Sequence, residues 1–228
     1  MLHNVPTPTG ECDLLSFELA GQKFMAINAG PLFKFNPSIS FLVVRKTPKD
    51  VDELWAKLSE GGSVLMALGE YPFSKRFGWT SDRYGLLWQV MFDDGRYPFQ
   101  RLITPSLMFV GDVADRAEEA MKFYASIFPE SKLGDISRYP AAMEPEKEGT
   151  VKHGSVFLAG QEFFAMDSAR QHKFAFNEAI SFFFRAKTKS KSISTGTNSQ
   201  PIQNPSNAAG SKTNLVFRGR YGRRSWAR

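Results

Sequence analysis

The sequence predicts an α+β fold built from two βαβββ units, and three observations support this class. First, LAGQKFMAIN at residues 19–28 returns as LAGQEFFAMD at residues 158–167, with six of the ten residues identical. Second, FNPSISF at residues 35–41 returns as FNEAISF at residues 176–182. Third, strand and helix patterns follow in the same order in both halves. The chain therefore repeats one module, and its 21 Phe residues are enough to fill a core.

The first half contains a hairpin followed by a complete unit. Residues 14–19 and 24–28 are predicted strands around a glycine turn, and the apolar run at 39–44 is a third strand. A helix follows, with Thr47 as its N-cap, Pro48 at its first position and an apolar face spaced i, i+3, i+4 and i+7 from Val51. Three further strands, at residues 63–68, 76–80 and 86–92, complete the unit.

The second half repeats this order. A strand at residues 102–110 leads into a helix that Asp112 or Asp115 is expected to cap and that ends before Pro129. Strands are predicted at residues 132–138, 151–158, 162–166 and 179–184. The segment 139–149 has two prolines and four charged residues, which predicts a loop.

The C-terminal tail differs from the rest in composition. The chain has a formal net charge of +6, but residues 185–228 hold ten Lys and Arg and no acid, which leaves 19 basic and 23 acidic residues before them. The tail has few apolar residues, so we expect residues 185–228 to be disordered. Its unopposed positive charge would make non-specific contacts with polyanions.

Cellular location is constrained by what the sequence lacks. No apolar run reaches the roughly 18 residues of a membrane helix, and the N-terminus does not resemble a signal peptide. Cys12 is the single cysteine, so no internal disulfide can form, which fits a reducing compartment. We expect a cytoplasmic protein that does not bind membranes.

Two longer motifs carry a family resemblance. MKFYASIFPESKLGDISRYP at residues 121–140 and GWTSDRYGLLWQV at residues 78–90 are similar to PhnB-like proteins of the vicinal oxygen chelate superfamily, which includes glyoxalases and bleomycin-resistance proteins. The resemblance covers roughly residues 14–184. It implies glyoxalase-like βαβββ modules that form cupped antiparallel sheets with a pocket inside.

The resemblance also implies a division of the chain. Residues 1–94 match the C-terminal portion of a first PhnB-like domain, and residues 100–184 match the N-terminal portion of a second. We therefore expect a product cut at both ends. The sequence leaves a second arrangement open, in which the two complete units close on each other across the linker at 93–101 and the hairpin at 14–28 is an addition.

A metal centre is incomplete on this alignment. Enzymes of the superfamily place a His or Gln on the first strand of a unit and a Glu on its last strand. Gln89 stands at the last-strand position, whereas the first-strand positions fall on Pro105 and Ser38, which are not usual ligands. No metal site or other cofactor is predicted from these residues, although a divalent metal stays open.

The predicted ligand-binding residues are those that would line the pocket: Gln89, Trp79, Phe163, Asp167 and His153. Aromatic side chains with a few polar groups suit a flat, mostly apolar small molecule. His153 could act as a general base if its ring faces the pocket, and it could equally be a hydrogen-bonded strand histidine. No catalytic residue is predicted.

Two function classes follow. The first is a non-catalytic protein that binds a small molecule, and the second is a metal-dependent isomerase, lyase or dioxygenase whose ligands a partner subunit completes. In both cases the protein could form a homodimer. The family is often labelled as a ubiquinone-related methyltransferase, but the sequence has no Gly-x-Gly turn after a strand of the kind that binds a methyl donor. A fragment with no function of its own is a third class, and aggregation would be its sign.

Overall fold

A computed structural model of the chain describes residues 2–7, 10–28, 32–184 and 213–218, with side chains for residues 13–28 and 32–184. These residues contain two α-helices, α1 (Pro48–Ser59) and α2 (Ala117–Ile127), one 3₁₀ turn at Gly111–Val113, and thirteen strands. The strands are β1 (Leu2–Thr7), β2 (Gly10–Leu19), β3 (Gln22–Ile27), β4 (Ile39–Arg45), β5 (Ser63–Tyr71), β6 (Ser74–Ser81), β7 (Leu87–Phe92), β8 (Ile103–Phe109), β9 (Lys132–Arg138), β10 (Val151–Leu158), β11 (Gln161–Asp167), β12 (Ile180–Phe184) and β13 (Thr213–Arg218).

The two predicted units form one eight-stranded sheet. Its strand order is β5-β6-β7-β4-β8-β11-β10-β9, so each unit contributes four neighbouring strands. The first strands of the units, β4 and β8, pair antiparallel, with Ser40 opposite Ser106. The α+β class and both βαβββ units are thereby confirmed. The units lie side by side, as in the second arrangement that the sequence left open, while the assignment of residues 1–94 and 100–184 to two family domains stays a prediction.

A second sheet has five strands in the order β1-β2-β3-β13-β12. The predicted hairpin is present as β2 and β3, and β1 adds a strand that the sequence analysis did not predict. Strand β13 lies within the tail that was expected to be disordered, so that prediction is wrong for Thr213–Arg218. These six residues pair with β3 and β12, which gives their backbone the hydrogen bonds that a strand requires. The remainder of the predicted tail, residues 185–212 and 219–228, lies outside the described residues.

The two helices start differently. Thr47 caps α1 as predicted, because its hydroxyl accepts a hydrogen bond from the Asp50 backbone N–H at 3.1 Å. The prediction that Asp112 or Asp115 caps α2 is wrong: Arg116 is the N-cap residue, and Asp115 has a left-handed backbone with φ of 65°. Neither helix of the described residues is long and apolar enough to cross a membrane.

The hydrophobic core lies between the two sheets and the helices. Side chains of odd-numbered residues on β4, such as Phe41 and Val43, pack against α1 and against Phe24 of the five-stranded sheet. The corresponding cluster of the second unit packs Phe163 and Val156 against Met121 of α2. Both helices and the five-stranded sheet therefore cover one face of the eight-stranded sheet, here called the helix face. Its opposite side, which points away from α1 and α2, is the far face.

Candidate functional site on the far face

The far face carries an apolar cluster that spans both units. Four of its side chains are buried, and they lie on β4 and β6 of the first unit and on β11 of the second unit: Leu42, Val44, Phe77 and Phe164. Partly buried apolar side chains surround them: Met66, Tyr71, Trp79, Met91, Tyr97 and Phe99. This face thus combines aromatic rings with flexible thioethers, which adapt their shape to what they contact.

Strand alternation places Trp79 on this face. Gly78 lies on the helix face against α1, where an added Cβ would come within 2.7 Å of Cε3 of Trp55. Because neighbouring residues of a strand point to opposite sides, Trp79 points to the far face. It lies directly opposite Gln89 on the neighbouring strand β7. The predicted ligand-binding residues Trp79 and Gln89 are therefore brought together.

The polar groups of this pair differ in how they are satisfied. The Nε2 amide of Gln89 donates a hydrogen bond to Oγ of Ser40 at 2.8 Å, and both residues are buried. Nε1 of Trp79 is buried, and it has no hydrogen-bond partner among the described residues. A buried indole N–H normally finds an acceptor, because leaving it unpaired costs about 1–3 kcal/mol. The pair thus places one oriented amide and one buried donor without an acceptor inside the apolar cluster of the far face.

The linker between the units crosses the far face of the second unit. The ring of Tyr97 packs edge-on against Phe164 with centroids 5.6 Å apart, and Phe99 lies 6.2 Å from the same ring. Two hydrogen bonds hold the linker to Glu162: the Tyr97 hydroxyl reaches Oε1 at 3.2 Å, and the Gln100 backbone N–H reaches Oε2 at 3.3 Å. Glu162 is only 1% exposed, so the linker covers its carboxyl group.

Burial shifts the protonation of the groups under this linker. It raises the pKa of Glu162, against the opposing effect of the hydrogen bonds from Gln100 and Tyr97. It raises the pKa of Tyr97 to about 12, and the nearby Glu162 charge adds to the rise. It lowers the pKa of His153, whose ring lies 4.8 Å from that of Phe164 and 6.3 Å from that of Tyr97. The three groups could hold or move a proton on the far face.

Glu162 and Tyr97 were missed by the sequence analysis. A signal for Glu162 was present, because the repeat changes sign there, from Lys23 in LAGQKF to Glu162 in LAGQEF. The charged residue of the second copy stands directly before the apolar residues Phe163 and Phe164 in a buried strand. Tyr97 carries no comparable signal, since it lies in a linker outside both repeats.

Two predicted site residues lie elsewhere. Phe163 and Asp167 are on the helix face of β11, so they do not meet Gln89, Trp79 and His153 on the far face. The ring of Phe163 packs edge-on against Phe182 of the five-stranded sheet, with centroids 4.9 Å apart. It belongs to the core beneath α2.

Asp167 is bound to the protein backbone on both of its oxygens. Oδ1 accepts a hydrogen bond from the Ala117 N–H at 3.0 Å, and Oδ2 accepts one from the Val151 N–H at 2.9 Å. Ala117 is the first residue of α2, so Asp167 supplies the acceptor that the sequence analysis had assigned to Asp112 or Asp115. Burial raises the pKa of Asp167, while these two backbone donors lower it. The carboxyl group ties the start of α2 to β10.

No group of three His, Cys, Asp or Glu side chains in the part of the chain that the structure describes is placed to hold a metal ion. At the two first-strand positions of the family alignment, Pro105 lies within β8 and Ser38 contacts the Asn36 side chain at 2.9 Å through its backbone N–H. Gln89, Glu162 and His153 do point to the same side of the sheet, and the hydrogen bonds and ion pairs of the described residues do not join any two of them.

A shallow cleft lies where the two copies of the FN motif meet. Asn36 donates to the Ala175 carbonyl and Asn177 to the Lys34 carbonyl, each at 2.9 Å, which is a reciprocal pair of contacts between equivalent residues. The cleft is open to solvent and has essentially no enclosed volume. Pockets for drug-sized ligands measure roughly 300–1,000 Å³, so this cleft does not offer such a pocket. It marks the junction between the repeat copies.

Comparisons with known proteins agree with the internal repeat of the sequence. A family model described as 3-demethylubiquinone-9 3-methyltransferase matches twice, over residues 1–91 and 101–198. No curated protein matches the chain.

Three solved structures are similar over part of the chain. A putative 3-demethylubiquinone-9 3-methyltransferase, PhnB protein, from Bacillus cereus is 35% identical over 40% of this chain and 76% of its own, with a TM-score of 0.36. A protein from Pseudomonas aeruginosa is 25% identical over 39% of this chain and 68% of its own, with a TM-score of 0.33. A protein from Staphylococcus aureus is 24% identical over 40% of this chain and 73% of its own, with a TM-score of 0.23. The two matches of the family model span most of the sequence, and the chain belongs to the 3-demethylubiquinone-9 3-methyltransferase family of PhnB-like proteins.

Proposed function

We propose that the protein binds a small, flat, mostly apolar molecule on the far face, beside Trp79 and Gln89. The observation that carries this proposal is the buried Nε1 donor of Trp79, which has no acceptor among the described residues. A ligand with a carbonyl or similar oxygen would supply that acceptor. Its remaining surface would lie on the aromatic and methionine side chains of the same cluster.

The surroundings favour such a ligand energetically. A hydrogen bond formed in an apolar environment is stronger than one in water, and the unpaired donor has already lost its hydration. Ser40 fixes the Gln89 amide through its 2.8 Å hydrogen bond, so binding does not have to order that side chain. Tyr71, Phe73 and Phe77 form a group of mutually packed rings on the first unit, which offers a hydrophobic surface next to the pair.

The test uses two aromatic probes that differ in one acceptor. Acetylnaphthalene has a carbonyl oxygen for the Trp79 N–H, whereas ethylnaphthalene has nearly the same shape and no such oxygen. Their dissociation constants are measured by isothermal titration calorimetry on the wild type, Trp79→Phe and Trp55→Phe. Trp55 is the matched control, because it lies on α1 at the helix face.

We expect the wild type to bind acetylnaphthalene more tightly than ethylnaphthalene. One neutral hydrogen bond of about 0.5–1.5 kcal/mol corresponds to a factor of roughly 2–12 in affinity. Trp79→Phe keeps an apolar ring and removes the N–H, so it should erase this difference, while Trp55→Phe should keep it. Equal affinities of both probes for the wild type, or equal effects of the two substitutions, would contradict the proposal.

The alternative function, a metal-dependent isomerase, lyase or dioxygenase completed by a partner subunit, has a separate test. Its support is the shared direction of Gln89, Glu162 and His153, which are residue types that bind metals. Native mass spectrometry after incubation with Zn²⁺, Ni²⁺, Mn²⁺ and Fe²⁺ gives both the metal content and the oligomeric state. A dimer with one metal per subunit, lost in Gln89→Leu, would favour the enzyme. A metal-free species of defined mass would favour the small-molecule-binding protein. We propose that this protein acts in the cytoplasm.

A further inference from the structure

The place of β13 in the five-stranded sheet corresponds to that of β8 in the eight-stranded sheet. By the sequence repeat, β3 is the counterpart of β11 at an offset of 139 residues, and β12 is the counterpart of β4 at an offset of 141. Strand β8 lies between β11 and β4, parallel to the first and antiparallel to the second. Strand β13 lies between β3 and β12 with the same two directions.

The correspondence holds residue by residue. Ser106 of β8 is opposite Phe164 on one side and Ser40 on the other. The repeat counterparts of these two neighbours are Met25 and Ser181, and both lie opposite Val216 of β13.

The next residue along each strand gives the same result. Leu107 is opposite Ala165 and Ile39, while Phe217 is opposite their counterparts Ala26 and Ile180. The register therefore agrees on both edges of the strand.

The sequences of the two strands do not explain this agreement. Over the matched positions, ITPSLM of β8 stands against TNLVFR of β13, with no identical residue. What the two positions share is the pair of flanking strands, whose sequences the repeat conserves. Main-chain hydrogen bonds to two fixed edges select an extended segment with little regard to its side chains, as in strand addition to a sheet edge.

The flanking edges need a partner. Phe24, Ala26 and Ile180 are buried in the core between the sheets, so β3 and β12 are held in place by their packing. Backbone N–H and C=O groups along an unpaired edge are a template for association with another chain. A segment that pairs with both edges removes this exposure.

We propose that the space between β3 and β12 is a strand-binding site, and that the chain occupies it with its own residues 213–218. The segment substitutes for the first strand of a βαβββ unit. The site recognises an extended backbone in one register and direction. Since 28 residues join β12 to β13, the segment acts as a tethered ligand at high effective concentration.

The test compares two shortened chains by amide hydrogen exchange. A chain that ends at residue 218 keeps β13, and one that ends at residue 212 lacks it. We expect the shorter chain to lose protection at the amides of Gln22–Ile27 and Ile180–Phe184, or to associate into larger species in size-exclusion chromatography. Protection of Val151–Leu158 should persist in both chains, which would show that the eight-stranded sheet is folded.

A synthetic peptide of residues 211–220 should restore protection and mass in the chain that ends at 212. In the full-length chain, Val216→Pro removes one N–H of the strand and should weaken protection on both flanking strands, whereas Arg220→Pro, beyond the strand, should not. Unchanged protection and mass in the chain that ends at 212 would overturn the proposal. So would Val216→Pro behaving like Arg220→Pro, or exchange of β13 between differently labelled copies, which would make a second chain the occupant.

Discussion

The replacement of Asp167 by Asn separates a structural from a ligand-binding role for this residue. Asp167 is 1% exposed, and its two oxygens accept the N–H groups of Ala117 and Val151 at 3.0 and 2.9 Å. The change retains one oxygen and turns the other into an N–H₂ group that faces a backbone donor. One of the two buried N–H groups therefore loses its acceptor, and the start of α2 loses a nearby negative charge.

The expected loss follows from these two effects. An unsatisfied buried N–H costs about 1–3 kcal/mol, and an anion at a helix N-terminus contributes about 0.3–1 kcal/mol. We expect Asp167→Asn to lower the free energy of unfolding by roughly 1–4 kcal/mol. For a slope of about 2–3 kcal/mol/M this shifts the urea midpoint by about 0.4–2 M. Affinity for acetylnaphthalene should stay unchanged, because Asp167 lies on the helix face.

Urea unfolding followed by circular dichroism measures the loss, and Asp112→Asn is the control. Asp112 is the exposed acid that the sequence suggested as the cap of α2, and its replacement should leave the midpoint in place. The reasoning is refuted if both variants unfold like the wild type. It is also refuted if Asp167→Asn keeps its stability and loses probe affinity, since Asp167 would then be a ligand residue.

Two further substitutions test the packing and the electrostatics. Gly78→Ala places a Cβ less than 3.0 Å from three atoms of the Trp55 ring, where contacts of at least 3.4 Å are ordinary, so we expect a loss of about 1–3 kcal/mol in urea unfolding, partly recovered by adding Trp55→Leu. Gly69→Ala, whose Cβ would meet only contacts at 4.0 Å, should be milder. Glu162→Gln tests pH dependence: burial raises the pKa of Glu162 above its usual 4.5, so the stabilisation is present below 4.5 and is lost as pH rises through the folded pKa. As the pH rises from about 4.5 through the folded pKa of Glu162, the wild type should therefore lose more stability than Glu162→Gln, with Glu148→Gln following the wild type; parallel curves for all three would contradict this.

The local order of strands and helices could be predicted because it rests on local signals. The cap at Thr47, the apolar spacing from Val51 and the repeated LAGQ hairpin each act within a few residues. The joining of the units through β4 and β8 involves long-range pairing, for which the sequence offered two arrangements. The strand at 213–218 depends on two partner edges far away in the chain, so its polar neighbourhood gave no sign of it.

The positions of the site residues could be predicted where they follow from the alternation of side chains along a strand. Trp79 and Gln89 lie on neighbouring strands beside a recognisable turn, so their meeting follows from hairpin geometry. Asp167 was placed with them because acidic and aromatic residues were assumed to share one strand face. Phe164 lies on the far face, and side chains alternate along the strand, so Asp167, three residues further on, lies on the helix face. There the backbone N–H of Ala117, at the start of α2, needs an acceptor. Tyr97 could not be predicted, since its position depends on how the linker folds over Phe164.

The most direct test of the central claim observes the Trp79 indole N–H itself. In ¹H–¹⁵N correlation spectra the four tryptophans give separate side-chain signals, and Trp79→Phe assigns the relevant one. Titration with acetylnaphthalene should move the Trp79 Nε1–H signal downfield, as hydrogen-bond formation does, while ethylnaphthalene should not produce that shift. If the Trp79 signal stays in place with both probes, or if only the Trp55 or Trp88 signal moves, the far face beside Trp79 and Gln89 is not the binding site.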